Sequence, residues 1–463
     1  MHKKFLAVLL ALMLALPASA NAAAKTQAKT ETRPVLTVEA ALDLASRCNP
    51  SLAASAARVE QAKAQIDQAR ADKLPQVYAA LAGAWQGKEG KLPVYTAVGP
   101  GSFAQSGYAL NSFKEVYQAS LGVQWLIFSS GAVENTIKAR KLAWLGIKTS
   151  EVRTGQAVEN AVRVSYCDLQ RARAKLAVAE EVLALTREHL TQVNYFFKYG
   201  VVAQDEVLRV QVDEANGELN VISAKNAVDV RWRALERAVG TPLRGVYSLP
   251  KPENLPDAGE APRWDDESLN SLRPELRALE YSRRSALAVA AAAQGAAGPK
   301  IVGSGEVFNM GRDFWPHDLD TWKLSLSLRW DLYDGGKSRA QVREYRAKAR
   351  ELVAQIDDYK HQVALEAASA QLNYEAAKTR TVVARRQVDS AEEDYRMALK
   401  RYKANVGTNL DVLDARTALS NARTQLVDAM YDTDSARAGL DYALGVSHRF
   451  RMDVEGTSGH ARK

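Results

Sequence analysis

Residues 321–332 read TWKLSLSLRWDL. Trp322, Leu324, Leu326, Leu328, Trp330 and Leu332 take every second place, with Lys323, Ser325, Ser327, Arg329 and Asp331 between them. Side chains of a strand alternate between its two faces, so this segment has one apolar face and one polar face. Such alternation over about ten residues suits a barrel strand with lipid outside and water inside. A half-buried strand of a soluble sheet is the other reading of the pattern. Tryptophans near the strand ends favour the membrane reading, because indoles settle at headgroup level.

The pattern recurs upstream. In 118–127, Ala119, Leu121, Val123, Trp125 and Ile127 alternate with Gln118, Ser120, Gly122 and Gln124. QWLIFSSGAVEN (124–135) aligns with RWDLYDGGKSRA (329–340), and Trp125 and Trp330 lie 205 residues apart (330 − 125). Gly131 and Gly336 keep that spacing, and so do Gly240 and Gly445. Farther upstream, CNPSL (48–52) aligns with LRPEL (272–276) and KLPQV (73–77) with AGPKI (297–301), now 224 apart (299 − 75). The chain therefore reads as a duplication whose first copy holds 19 extra residues (224 − 205). The excess falls in GKEGKLPVYTAVGPGSFAQSG, whose Gly, Pro and Ser content reads as a loop.

Each copy reads helix, strand, strand, very long helix, turn, shorter helix. The first copy, 23–240, is expected to hold strands near 76–85 and 116–128, a long helix over 131–198 and a return helix over 203–240. The second, 266–446, is expected to hold strands near 300–308 and 321–333, a long helix over 336–403 and a return helix over 408–444. A Pro-rich linker, 241–265, joins them, since its prolines exclude a continuous helix or a central strand. Residues 447–463 read as a polar, disordered tail. Segments 86–114 and 309–320 read as loops joining the strand pairs on the outer surface.

Each long helix would span about 100 Å at 1.5 Å per residue. Small and apolar residues recur at steps of three and four: Tyr374, Ala377, Thr381, Ala384, Val388, Ala391, Tyr395, Ala398, Tyr402. The first copy repeats the seam through Leu169, Ala172, Leu176, Ala179, Leu183, Thr186, Leu190, Val193 and Phe197. This is a helix-packing seam, in which alanines allow close approach. Periodicity alone fits an ordinary coiled coil as well. Four strands per chain cannot close a membrane barrel, and lipid does not tolerate an open edge. Self-assembly is therefore required, and three chains would supply twelve strands.

The N-terminus carries Lys3 and Lys4, an apolar run to Leu16, Pro17 and then small residues. Residues 1–22 thus read as a secretory signal peptide, cleaved after Ala20 or Ala22. No cysteine follows either site, so no lipid anchor is expected. The remainder has no apolar run near 18 residues, which excludes a spanning helix. An exported chain of this kind is periplasmic, secreted or an outer-membrane barrel. Cys48 and Cys167 are the two cysteines; the compartment permits a disulfide, but their spacing does not establish one. The net charge of +8 is carried by interleaved acids and bases, which reads as solvated helix faces and not as nucleic-acid binding.

With LTVEAALDLASRCNPSL, LPQV, WLIFSSG, WDLYDGGKSRA, YGVVAQDEVL and YKANVGTNLDVLDARTALSNA in this order, the chain resembles the TolC-like outer-membrane efflux proteins over essentially its whole mature length. The resemblance implies a mainly α fold with membrane β structure: a trimer with a 12-stranded outer-membrane β-barrel continuous with a long periplasmic α-helical barrel. It implies a Gram-negative outer membrane, a homotrimer in contact with lipid, a periplasmic adaptor (membrane fusion) protein and an inner-membrane pump as partners, and neither cofactor nor catalysis. In the family pattern a glycine opens each helix-to-helix turn, six residues before an acid. Gly200 fits, with Glu206; the second copy has Asn405, with Asp411. Asparagine tolerates the left-handed conformation better than other non-glycine residues.

By the same resemblance, Gly200, Val201, Val202, Asn405, Val406 and Gly407 fall at adaptor-contacting turns. Tyr402, Asp411 and Asp414, with Asp205 and Glu206 in the first copy, fall at the channel constriction. The family's latching arginine aligns with Gly407, so that latch is missing here. Asp411 and Asp414 share a helix face, and around a three-fold axis they would form a cation-favouring ring whose mutual repulsion raises their pKa values. The local reading of TNLD is a capping box, Thr408 as N-cap with Asp411 three residues on; the two roles are compatible.

Enzymatic signatures are missing: His2, His189, His317, His361, His448 and His460 lack metal-ligand spacing, and there is no phosphate loop or GxSxG element. Two functions remain: an exit conduit for efflux or type I secretion, or a non-conducting periplasmic strut with an outer-membrane anchor. The alternating strands favour the conduit, because a strut needs no water-lined lumen.

Overall fold

The computed structural model describes residues 34–447 apart from 86–90, 100–101, 111–114, 251–258, 312–313 and 315–318, together with 449–450. The signal-peptide segment, the middle of the Pro-rich linker and the end of the tail lie outside the described residues. The elements are α1 (Val38–Cys48), α2 (Pro50–Ala71), β1 (Gln76–Trp85), β2 (Lys91–Gly99), β3 (Ser102–Leu110), β4 (Glu115–Phe128), α3 (Ala132–Lys198), α4 (Gln204–Val239), α5 (Asp266–Leu272), α6 (Pro274–Ala296), β5 (Lys300–Gly311), β6 (Leu319–Arg329), α7 (Lys337–Lys403) and α8 (Asn409–Ala443).

The helices α3 and α7 have 67 residues each, about 100 Å of continuous helix. Both start from a left-handed glycine, Gly131 (φ 81°) and Gly336 (φ 86°), so a positive-φ residue turns the chain from strand to helix at each entry. α3 packs along α4, and α7 along α8; α6 bridges α3 and α7, and α8 closes on α3. No helix among the described residues is long and apolar enough to cross a membrane.

Four strands form one antiparallel sheet in the order β1–β4–β5–β6. The halves of the chain meet at β4–β5, which leaves β1 and β6 as edges. The apolar face has no covering layer: Trp322, Leu324, Leu326 and Leu328 are 67–77% exposed. In water such a face would be a large desolvation liability; against hydrocarbon it is matched.

Three sequence expectations need correction. The segment 86–114 is not a plain loop, because β2 and β3 pair as an antiparallel hairpin separate from the main sheet. Pro93 is tolerated there because a two-stranded ribbon consists of edges. β5 runs to Gly311 because β4 supplies partners that far, Tyr117 facing Gly311. β6 stops at Arg329, opposite Lys300, instead of reaching 333. Beyond that pair the neighbour has ended, and the Asp334 carboxylate turns the chain by accepting from the N–H groups of Gly336 (2.9 Å) and Ser338 (2.8 Å).

The start of the tail is also ordered. Ser447 is buried and donates to Glu159, Arg449 pairs with Asp43, and the Phe450 ring lies where a Gly155 side chain would stand. Linker residues are anchored too: the Leu36 N–H donates to Ser248 O (2.7 Å) and Tyr374 donates to Gly259 O (2.6 Å).

Two cores sit at mid-height. One gathers Val158, Val162, Leu169, Leu235 and Val239 with α1 residues. The other gathers Val363, Ala367, Tyr374, Leu440 and Leu444 with Leu269, each of the five lying 205 residues on (363 − 158). Gly240 and Gly445 end α4 and α8 at φ 89° and 72°, and each fits closely under a short-helix end. A Cβ would meet Cys48 O at 2.5 Å in one case and Leu272 O at 2.8 Å in the other. Cys48 and Cys167 are free thiols; burial pushes the Cys167 thiol up to about 12, so it is inert at neutral pH.

Candidate functional site

The far ends of the long helices form two matched turns. In the first, the Gly200 N–H donates to Phe197 O (2.9 Å) and the Val201 N–H to Phe196 O (2.9 Å). In the second, the Asn405 N–H donates to Tyr402 O (3.0 Å) and the Val406 N–H to Arg401 O (3.0 Å). This is the Schellman pattern, which satisfies the last carbonyls of a helix and needs a left-handed residue at its centre. Gly200 (φ 74°) and Asn405 (φ 58°) supply that residue. Val201 and Val406 project into solvent, 50% and 81% exposed, whereas Val202 packs inward. Gly407 sits tight against the helix end: a Cβ there would lie 3.2 Å from Tyr402 N. A side chain of any size at 407 would crowd this turn.

Behind the turns, Val193, Val207, Val210, Tyr402 and Val412 form a small core shared by α3, α4, α7 and α8. Tyr402 is buried in it, 5.7 Å from the Phe196 ring and 5.3 Å from the His189 ring between centroids. Its hydroxyl donates to Glu206 Oε2 at 3.3 Å, so two of the expected constriction residues meet within one chain. Burial, with the nearby Glu206 carboxylate, pushes the phenol up to about 12.

The remaining acids stand apart. Asp205 is exposed, 3.9 Å from Arg209. Asp414 is exposed one turn into α8. Asp411 is engaged in a reciprocal cap: its N–H donates to Thr408 Oγ1 (3.2 Å) and its Oδ2 accepts from the Thr408 N–H (2.9 Å). The backbone hydrogen bond from Thr408 holds the Asp411 carboxyl below the usual carboxylate range. Within one chain the cap therefore governs Asp411, and its pKa moves opposite to the rise expected of a carboxylate ring.

Sequence reasoning missed a buried polar layer just behind these residues. His189 Nε2 lies 2.7 Å from Asn409 Oδ1, and both residues are buried. Burial lowers the His189 pKa, which favours the neutral ring. Arg416, 4% exposed, donates to Thr186 Oγ1 (2.6 Å) and to the Asp213 carboxylate. The available signal was polar residues at seam spacing, Thr186 and His189 leading to Val193. Among the described residues no group of three or more His, Cys, Asp or Glu could hold a metal ion.

The arrangement is one of long paired helices, a narrow polar-and-apolar junction at one end and a lipid-type sheet at the other. Known proteins share this fold. Over 348 residues the chain is 25% identical to the alkaline protease secretion protein AprF of Pseudomonas aeruginosa, covering 71% of this chain and 70% of that one. It is 25% identical over 403 residues to nodulation protein T of Rhizobium leguminosarum bv. trifolii, covering 84% of this chain and 81% of that one. Its fold superposes on that of the channel protein CusC with a TM-score of 0.75 at 18% identity, covering 91% of this chain and 96% of that one. The profile of the family described as "Outer membrane efflux protein" matches residues 41–241 and 267–446. With both halves matched, the protein belongs to the outer membrane efflux protein family.

Proposed function

We propose that this chain is the outer-membrane exit duct of a tripartite efflux or type I secretion system, working as a homotrimer with a periplasmic adaptor and an inner-membrane pump. The observation that carries the reading is the coupling of two helices of about 100 Å to an uncovered four-stranded sheet with two open edges. Closure of β1 on β6 of a neighbouring copy, repeated three times, yields a twelve-stranded barrel without edges. Unpartnered apolar stripes support assembly lower down: Leu208, Val212 and Leu219 on α4, and Leu365 and Leu372 on α7, are all more than half exposed.

The duplication is part of the proposal. Asn49 donates to Ala238 O and its aligned counterpart Arg273 donates to Ala443 O, each at 2.7 Å. Different side chains thus tie equivalent helix ends together. The turns at Gly200–Val201–Val202 and Asn405–Val406–Gly407 are the adaptor contacts, with Tyr195 and Tyr199 exposed beside the first. The constriction is formed by Tyr402, Glu206, Asp205, Asp411 and Asp414. One relative is named for protease secretion and the family for efflux, so the proposal commits to the duct and to no particular cargo.

Planar-bilayer recording of the purified protein tests the class. Ion-conducting trimers are expected; a protein that inserts as a trimer yet never conducts is a strut, and the reading fails.

A further inference from the structure

The first fourteen residues of α7, 337–350, hold six lysines and arginines and one acid. Four of these cations, Arg339, Arg343, Arg346 and Arg350, follow one another at steps of four, three and four, so they share one helix face. All four are exposed. No acid stands three or four places from any of them, and each has another arginine there instead. Like charges at that spacing destabilise a helix. By contrast, Lys348, Lys360 and Arg396 of the same helix each pair with an acid three residues away. Among the described residues no acid pairs with the stripe.

The repeat keeps part of this feature. Lys138 and Lys141 on α3 stand 205 places before Arg343 and Arg346 (343 − 138), and both are exposed. α3 also shows which way the face looks. Trp125, on the apolar face of the sheet, donates its indole N–H to Lys73 O (2.8 Å), and the Lys73 ammonium pairs with Glu134 (2.6 Å). Glu134, Lys138 and Lys141 lie at steps of four and three, hence on one face of α3. The cations therefore continue the apolar face of the sheet, and the aligned arginines of α7 take the same side.

Trp330, Leu332 and Tyr333 end that apolar face and are more than half exposed, as residues of an interfacial collar are. Arg339 comes six residues after Tyr333, and Arg350 lies about 16 Å farther along the helix at 1.5 Å per residue. The stripe thus begins at the level just below hydrocarbon, where phospholipid phosphates stand. Its lower end is within about two Debye lengths of them at physiological salt.

We propose that Arg339, Arg343, Arg346 and Arg350, with Lys138 and Lys141, form a basic belt that binds the phosphodiester headgroups of anionic phospholipids in the periplasmic leaflet. Guanidinium groups pair with phosphate oxygens through two parallel hydrogen bonds, and the bound anions relieve the repulsion within the stripe. In a trimer the belt recurs three times around the neck, where it fixes the depth of the sheet in the membrane. This rests on the duct reading, in which the uncovered face of the sheet meets lipid.

The test counts lipids bound to the full-length trimer in non-ionic detergent by native mass spectrometry. The probes are phosphatidylglycerol and phosphatidylcholine with identical chains. The parent should hold phosphatidylglycerol at least five-fold more tightly. Arg339→Gln, Arg343→Gln, Arg346→Gln and Arg350→Gln together should cut that preference below two-fold. Lys378→Gln, Arg380→Gln, Arg385→Gln and Arg386→Gln, an equal charge loss roughly 55 Å farther along α7 at 1.5 Å per residue, should leave it at the parent value. A stripe variant that keeps the preference overturns the proposal, and so does a control that loses it. A stripe variant that folds but stays monomeric assigns the arginines to a neighbouring copy, which also overturns it. If that variant does not fold, Lys138→Gln with Lys141→Gln decides: the preference should at least halve, and an unchanged value overturns the belt. Millimolar inorganic phosphate at matched ionic strength should not displace the lipid; displacement marks a free-anion site and overturns the headgroup assignment. Conductance is read separately in planar bilayers. A parent that prefers the anionic lipid but never conducts keeps the belt and loses the duct, and a conducting parent without the preference loses the belt alone.

Discussion

Asp411 illustrates how one side chain is drawn toward two roles. Its carboxylate closes a capping box with Thr408, and it belongs to the first turn of α8, where a helix dipole also favours an anion. Because its folded pKa is lowered, the stability it adds is present above the unfolded carboxylate value, about 4. That contribution is lost as pH falls through the lower, folded value. Protection against hydrogen exchange at the start of α8, taken relative to the intrinsic rate at each pH, should therefore fall below about pH 4 and stay constant between pH 8 and 5. Thr408→Ala should weaken this helix end by about 1 kcal/mol at neutral pH while leaving ion selectivity unchanged. Asp411→Asn with Asp414→Asn should instead lower cation preference, read as a smaller reversal potential in a salt gradient. An unchanged reversal potential would remove both acids from the lumen.

At the scale of elements, the two turns show which local rules were legible. The resemblance to the efflux family placed a turn-opening residue six places before an acid in each half, and both such residues are left-handed in the structure. Asn405 bears the strain that Gly200 does not. Asn405→Gly should stabilise the second turn by a few tenths of a kcal/mol, and Asn405→Ala should destabilise it by about 1 kcal/mol. Thermal unfolding of the trimer with exchange at α7's last turn checks both. The hairpin β2–β3 was not legible, because glycines and prolines at its ends mimic loop composition while pairing within 91–110 is settled by cross-strand contacts.

On the scale of the whole molecule, one chain is an incomplete object. Among the described residues its main sheet has two free edges and an uncovered apolar face, the surfaces that the proposed trimer would close. Cysteines placed in turn at 78–82 on β1, each with Ser325→Cys on β6, should give covalently closed trimers for at least one pair on oxidation. A complete scan yielding only monomers on denaturing gels would exclude β1–β6 closure between copies.

The alternation of strands, the length of the helices and the left-handed turns were readable from sequence because each depends on residues close together in the chain. Period-two and period-3.6 patterns report a face, and a glycine or asparagine reports a torsion angle. The meeting of Tyr402 with Glu206, the burial of Arg416 against Thr186 and Asp213, and the docking of Phe450 on Gly155 were decided only in three dimensions. They join residues roughly two hundred or more positions apart, and a charged or aromatic side chain reads as surface until packed helices remove the water around it.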